Sequence, residues 1–369
     1  MDPQSVFCPN LDCAARGRVG AGNIRVHSHK ERRYRCTVCR KTFVETTGTV
    51  FYRRQKLEDE VTRVTTLLAW GCPPQAIVAA FGWDERTVYA LLHAAGQHCQ
   101  QVHEHLVQQP RDLGQVQADE IRAKLQGVIM WAAMALQVHT RLWLGGVVSP
   151  QRDVSLLVAL TQLIRACALC RPLLLCVDGF KGYVHAFRLV LREPIPTGGK
   201  GRPRLRAWDN VCIVQIVKHA APTSGMGLFC RLVQGAGEQV KALLQQTQGE
   251  GVVNTAYIER LNATFRARLS GLVRRGRALL RETCTLQRGL YLIGTVYNFC
   301  TEHQSLRVRG VVGGHKWLGR TPAMAAGITD HCWTVQELLL YRVPPPRWTP
   351  PKRRGRPSNE IKRLIQQWG

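Results

Sequence analysis

At 369 residues, 45% of them hydrophobic, the chain is long enough for two or three domains and apolar enough to bury cores, which excludes a peptide, a lone metal finger and a disordered protein. Its 51 Lys and Arg against 25 Asp and Glu give a formal net charge of +26. A fold does not need that imbalance, whereas a polyanionic partner does.

In chain order, residues 1–50 are rich in Cys, Arg and Thr and lack long apolar periodicity, as expected of a small domain that folds around something other than a core. Cys8 and Cys13 (Cys-x4-Cys) precede Cys36 and Cys39 (Cys-x2-Cys), two knuckles separated by enough chain for a hairpin. Four thiolates bind Zn²⁺ tetrahedrally and leave no open position, so the zinc is structural and supplies folding energy that a short segment lacks. Tyr34 and Phe43 are the expected apolar cap, and His27 and His29 are expected at the surface. Cys167 and Cys170 repeat the spacing inside an apolar helix with no second pair, and read as buried thiols.

Residues 51–110 read as helical, with breaks at Gly71-Cys72-Pro73-Pro74 and Gly82. Three helices are expected, sharing a core of Leu67, Leu68, Ile77, Val78, Phe81, Val88 and Leu91. The third opens Asp84-Glu85-Arg86-Thr87 and can place Arg86 and Thr87 in a major groove, as in a helix-turn-helix. The alternative is a plain three-helix bundle.

After a polar linker over 108–114, strands are expected over 115–124, 128–136 and 138–148, a helix over 153–169 that Asp153 can cap, and a buried parallel strand over 172–177. This order makes a mixed α/β domain over 111–305. Residues 192–250, with several Pro and Gly and the basic stretch 200–206 followed by a strand-like pattern over 211–217, read as an insertion. Helices are expected over 255–269 and 277–299. The region 306–369 is basic and ends in a Pro/Arg-rich stretch expected to be a flexible tail. The sequence starts with no apolar leader, and its longest apolar run, 128–136, is about half of the roughly 18 to 20 residues that a spanning helix needs. With fourteen Cys, this points to a reducing, cytoplasmic setting and no membrane.

Three acids stand out. Asp119 lies within a strand, where Asp119 and Glu120 must point to opposite faces. Asp178 ends an apolar strand, the edge of an α/β sheet where functional groups gather. Glu259 lies on a helix whose buried stripe is Ile258, Leu261, Phe265 and Leu269, while Glu259, Asn262 and Arg266 share another face. Converging carboxylates repel one another and need cations, which suits Mg²⁺.

Ala118-Asp119-Glu120, Val177-Asp178-Gly179 and Asn254-Thr255-Ala256-Tyr257-Ile258-Glu259-Arg260-Leu261-Asn262 resemble the three acidic motifs of DDE transposases of bacterial insertion sequences. The likeness is closest to the insertion-sequence-one type, which also carries a zinc ribbon and a helix-turn-helix, and it covers about residues 5–300. The resemblance implies an RNase H-like catalytic domain in which Asp119, Asp178 and Glu259 hold two Mg²⁺ or Mn²⁺ ions about 4 Å apart for in-line phosphoryl transfer. It implies double-stranded DNA partners, namely element ends and a target, a homo-oligomer on the paired ends, and a place in the nucleoid. Asp209 is a rival for the second acid. Residues 260–281 hold seven Arg, among them Arg266, Arg268, Arg274 and Arg275, which read as a phosphate-tracking surface, while Asn262 and Arg266, one and two turns beyond Glu259, are expected to face the DNA or to support the acids. Lys352-Arg353-Arg354-Gly355-Arg356-Pro357 resembles an AT-hook, with Arg354 and Arg356 in a narrow minor groove. The alternative function is a non-catalytic DNA-binding regulator or domesticated derivative.

Overall fold

The computed structural model describes residues 1–195, 201–221, 225–249, 251–273, 280, 282–312, 315–350 and 355–369. They fall into two compact units, one of Met1–Glu58 with Leu339–Gly369 and one of Asp59–Leu338. In the first unit, β1 (Ile24–Ser28), β2 (Arg33–Cys36) and β3 (Thr42–Val44) form an antiparallel sheet. Tyr34 and Phe43 stack with ring centroids 5.7 Å apart, the expected cap.

The second unit opens with α1 (Glu58–Ala69), α2 (Pro74–Phe81) and α3 (Glu85–Leu106). Pro74 sits in the first turn of α2, and Gly82 ends that helix in the left-handed conformation at φ 63°. Asp84 caps α3 by accepting from the Arg86 N–H at 2.8 Å. The third helix runs past the expected end near residue 97 and packs along α8 (Thr283–Cys300). The three helices therefore fall in one compact unit with the α/β sheet. Gly96 permits the close approach, because a Cβ there would lie 2.5 Å from the Arg288 carbonyl oxygen. Gly96→Leu is expected to lower stability by about 3 kcal/mol, read as a lower urea midpoint at unchanged slope.

The sheet has the order β11-β10-β7-β4-β5-β6. Here β4 is Gln115–Leu125, β5 Val128–Gln137, β6 Trp143–Ser149, β7 Leu173–Asp178, β10 Val211–Ala221 and β11 Gly225–Gln234. The first three strands form an antiparallel meander, and β7 runs parallel to both β4 and β10. Crossing from β6 to β7, α4 (Val154–Cys167) starts where Asp153 accepts from the Leu156 N–H at 3.0 Å. Then α5 (Lys181–Val190) and the hairpin of β8 (Arg192–Pro194) and β9 (Leu205–Ala207) lead to β10.

Two sequence expectations change here. The third strand begins at Trp143 and not at 138, because residues 137–142 turn sharply: Thr140 Oγ1 donates to Gln137 Oε1 at 2.7 Å, and Arg141 is left-handed at φ 59°. The stretch 192–250 is no insertion. It supplies β10 and β11 to the main sheet and α6 (Gly237–Gln248), whose Val240, Leu243 and Leu244 pack on Leu174, Cys176, Val214 and Ile216. The strand-like pattern expected over 211–217 is β10, and Pro and Gly in the connection before it suggested an insertion where the main sheet continues.

Alternation along the strands buries both sheet faces. Val116, Ala118, Ala133, Ala135, Leu175 and Val177 meet α4 and α5. Ile121, Ala132, Met134 and Leu136 meet α8 and α7 (Ala256–Arg268) through the expected stripe Ile258, Leu261, Phe265 and Leu269. His103 of α3 is fully buried beside Trp143 and Tyr291, with Nε2 3.0 Å from the Leu144 carbonyl. Burial, opposed by that carbonyl and helped by Arg111, pushes its pKa down to about 4 from an ordinary 6.5. The unfolded chain therefore takes up a proton between those values that the native state refuses, and stability falls as pH drops from about 6.5 towards 4. Urea unfolding at pH 7 and pH 5 should differ by about 2 kcal/mol more in the wild type than in His103→Gln.

After α8 come the hairpin of β12 (Val308–Val312) and β13 (His315–Leu318), the short α9 (Pro322–Ala325) and α10 (Val335–Leu340). The last segment then rejoins the first unit, where the Val50 N–H donates to the Leu339 carbonyl. The expected flexible tail is instead packed there: Trp348 and, from α11 (Asn359–Trp368), Leu364 and Trp368 contribute to the core beside Cys8, Cys13 and Cys36. Arg18 lies over the Trp368 ring at 5.5 Å. The cause is apolar surface that the short cysteine-rich segment lacks by itself.

Candidate metal centres and nucleic-acid surface

The hairpin of the first unit brings its four expected cysteines together. Their sulfurs all lie within 4.8 Å of one another, with Cys8–Cys39 at 3.6 Å and Cys13–Cys36 at 3.8 Å. Burial and the neighbouring sulfurs push the thiols of Cys8 and Cys13 up, the latter to about 12. Such clustered thiols can all ionise only around a cation, and the set can hold a structural metal such as zinc. His27 and His29 are exposed, as expected. Of the other Cys-x2-Cys, Cys167 is buried but Cys170 is exposed, because α4 ends at Cys167.

The carboxylates gather in the second unit where β4 and β7 part. Pairing between these strands stops at Gln117–Cys176, and β7 ends two residues later at Asp178. Carboxylate oxygens of Asp119, Glu120 and Asp178 lie within 4.8 Å of one another. Asp119 and Glu120 do leave the strand on opposite faces, but the missing pairing lets Glu120 reach the same gap from the far side. Glu120 thus joins a site from which strand alternation excluded it.

Each aspartate is held by both oxygens. Asp119 Oδ1 accepts from the Glu120 N–H at 2.8 Å and Oδ2 from Asn262 Nδ2 at 2.8 Å. Asp178 Oδ1 accepts from the Phe180 N–H at 2.9 Å and Oδ2 from Arg152 Nη2 at 3.0 Å. The same Arg152 nitrogen donates to Glu120 Oε2 at 3.3 Å, and its guanidinium lies 4.7 Å from the Phe180 ring centre and 5.3 Å from that of Trp131. Burial, countered by Arg152 and reinforced by Asp178, pushes Glu120 up to about 7. Burial also raises Asp119, eased by the Glu120 N–H and reinforced by the charges of Asp178 and Glu259.

Gln117 fixes α7 against β4: its Nε2 donates to the Asn254 carbonyl at 2.7 Å, and its Oε1 accepts from the Ile258 N–H at 3.0 Å. Glu259, exposed in the first turn of α7, accepts from Thr255 Oγ1 at 3.1 Å and lies outside the tight carboxylate group. The face of Glu259, Asn262 and Arg266 nevertheless looks at Asp119, which bonds Asn262 and feels the charges of the other two. Asp209 precedes β10, which starts beside Leu173 at the other end of β7 from Asp178, so it is no rival for the second acid.

Of the residues expected on nucleic acid, Arg86 is exposed and Thr87 half-buried at the start of α3, and Arg356 is exposed. Asn262 is buried against Asp119, so it supports the acids and does not form surface. Arg268 is half-buried and stacked 3.9 Å over the Trp70 ring. Arg274, Arg275 and Arg354 lie outside the described residues. Arg152 and Glu120 carried no spacing signal; only the register of β4 against β7 exposes them. Among the described residues, no helix is long and apolar enough to cross a membrane. Compared by sequence with models of protein families and with curated proteins, the chain matches none of either.

Proposed function

We propose that the chain is a metal-dependent DNA strand-transfer enzyme, a transposase of the DDE class that binds element ends and joins them to a target as a homo-oligomer. The observation that carries this reading is the meeting of Asp119 and Asp178 where β4 and β7 part, under a helix that turns Glu259 and Asn262 towards Asp119. An antiparallel meander followed by two parallel strands, with helices on both faces, supports an RNase H-like assignment. So does the +26 charge beside a cysteine cluster suited to structural zinc.

The all-oxygen donor set fits a hard divalent cation, and the buried, unpartnered Oε1 of Glu120 adds to a surplus of negative charge that Arg152 offsets only in part. Asp119, Asp178 and Glu259 would hold Mg²⁺ or Mn²⁺, which supplies Lewis-acid activation of the attacking oxygen and stabilises the leaving one. The protein's own part is positioning. Asn262 and the Glu120 N–H fix the rotamer of Asp119, and the Phe180 N–H fixes that of Asp178, leaving each oxygen a second lone pair. The test is a strand-transfer assay with labelled element ends, a plasmid target and Mg²⁺ or Mn²⁺. Joined products that require both the metal and Asp178 are expected; metal-independent joining, or joining by Asp178→Ala at the wild-type rate, refutes the reading.

A further inference from the structure

On the flank of α7 opens a cavity of about 180 Å³, the volume of about six waters at roughly 30 Å³ each. Its charged walls come from distant parts of the chain: Arg141 from the β5–β6 turn, Arg260 and Arg268 two helical turns apart on α7, and His303 after α8. Among the described residues no carboxylate lines it. Three arginines around one small cavity repel one another, and an anion between them would relieve that repulsion.

A further observation points the same way. Arg141 is held in the left-handed region at φ 59°, where Gly or Asn is usual, so the turn keeps a strained backbone along with a guanidinium. That guanidinium lies 3.9 Å from the Tyr257 ring centre and donates to the Val138 carbonyl, while the Arg141 carbonyl accepts from Tyr297 Oη at 3.1 Å. Burial and then the charges of Arg141 and Arg260 push His303 down, as a positive surround requires.

We infer that this cavity is a phosphate-binding site distinct from the carboxylate cluster. Guanidinium forks match phosphate oxygens, and Arg141, Arg260 and Arg268 line the one cavity that would hold them. The helix that carries Glu259 carries Arg260 next to it, so on the strand-transfer reading, on which this part rests, the phosphate belongs to a nucleic-acid backbone lying along α7. The same chemistry would take a free phosphate compound.

The test uses the full chain and two probes. Pyrophosphate is titrated by calorimetry into wild type, Arg260→Gln and, as a charge control outside the cavity, Lys241→Gln, both changed residues being exposed. Arg260→Gln is expected to weaken pyrophosphate binding at least tenfold and Lys241→Gln to leave it unchanged. The second probe is a duplex oligonucleotide, whose log affinity is followed against log salt concentration; loss of one phosphate contact lowers the slope by about one. A weakened pyrophosphate site with a reduced slope assigns the cavity to backbone phosphate, and a weakened site with an unchanged slope assigns it to a free phosphate compound. Pyrophosphate that fails to bind the wild type, or binds all three proteins alike, overturns the inference. A wild type that binds pyrophosphate but no DNA defeats the strand-transfer reading alone and leaves the cavity standing.

Discussion

Cys36→Ser is expected to abolish zinc retention and to unfold the first unit. Cys36 is fully buried, lies 3.8 Å from Cys13 through sulfur, and accepts from Asn23 Nδ2 at 3.6 Å. A structural zinc contributes on the order of 10 kcal/mol to the folding of a small domain, more than the remaining core of such a unit supplies. Metal analysis should find one zinc per wild-type chain and none in the variant. Limited proteolysis should then cut residues 1–58 and 339–369 of the variant while the wild type resists, and a chelator should reproduce the pattern in the wild type. An undiminished zinc content would show that the four sulfurs are not the metal's ligands.

If the proposed strand-transfer activity holds, Glu259→Gln is expected to lower cleavage of element ends by about 10³-fold or more while leaving end binding within a factor of two, since it would remove a metal-holding charge and keep the side chain's shape. Glu120→Gln should lose far less. Its side chain is fully buried and tied to Arg152, so its effect on the reaction passes through the placement of Asp178. Equal losses from both variants would instead make Glu120 a working member of the acid set. Single-turnover cleavage, with binding measured separately, distinguishes the outcomes.

Much of this was legible in the sequence where a local rule held without competition. The cysteine spacing, the Asp153 cap, the Pro74 start, the buried stripe of α7 and the parallel β7 all follow from spacing, periodicity and capping, and the structure keeps each. What was not legible depended on partners far along the chain. The strand-like pattern over 211–217 was visible, but its place beside β7 in the main sheet was not, because Pro and Gly in the connection before it suggested an insertion. The pairing of Glu120 with Asp178 through Arg152 depends on where two strands stop pairing, which no window of residues encodes. In the last segment, composition misled. Its Pro and Arg suggested a solvated tail, yet Ile361, Leu364, Ile365 and Trp368 already stood at the spacing of an amphipathic helix.

That returning segment sets the order in which the first unit can assemble. The two cysteine knuckles are close in sequence and can close on a metal early and locally, whereas Trp348, Leu364 and Trp368 must be recruited across the whole of Asp59–Leu338. Closing so long a loop in an unstructured chain carries an entropy cost that grows with the logarithm of its length, and contacts of such high sequence separation form slowly. The intervening residues fold into their own compact unit, which replaces a long random loop by a fixed span. Completion of the cysteine-rich unit is therefore kinetically subordinate to folding of the sheet that carries the acids, and a fragment cut at residue 58 would keep its four clustered cysteines but lack part of the core that covers them.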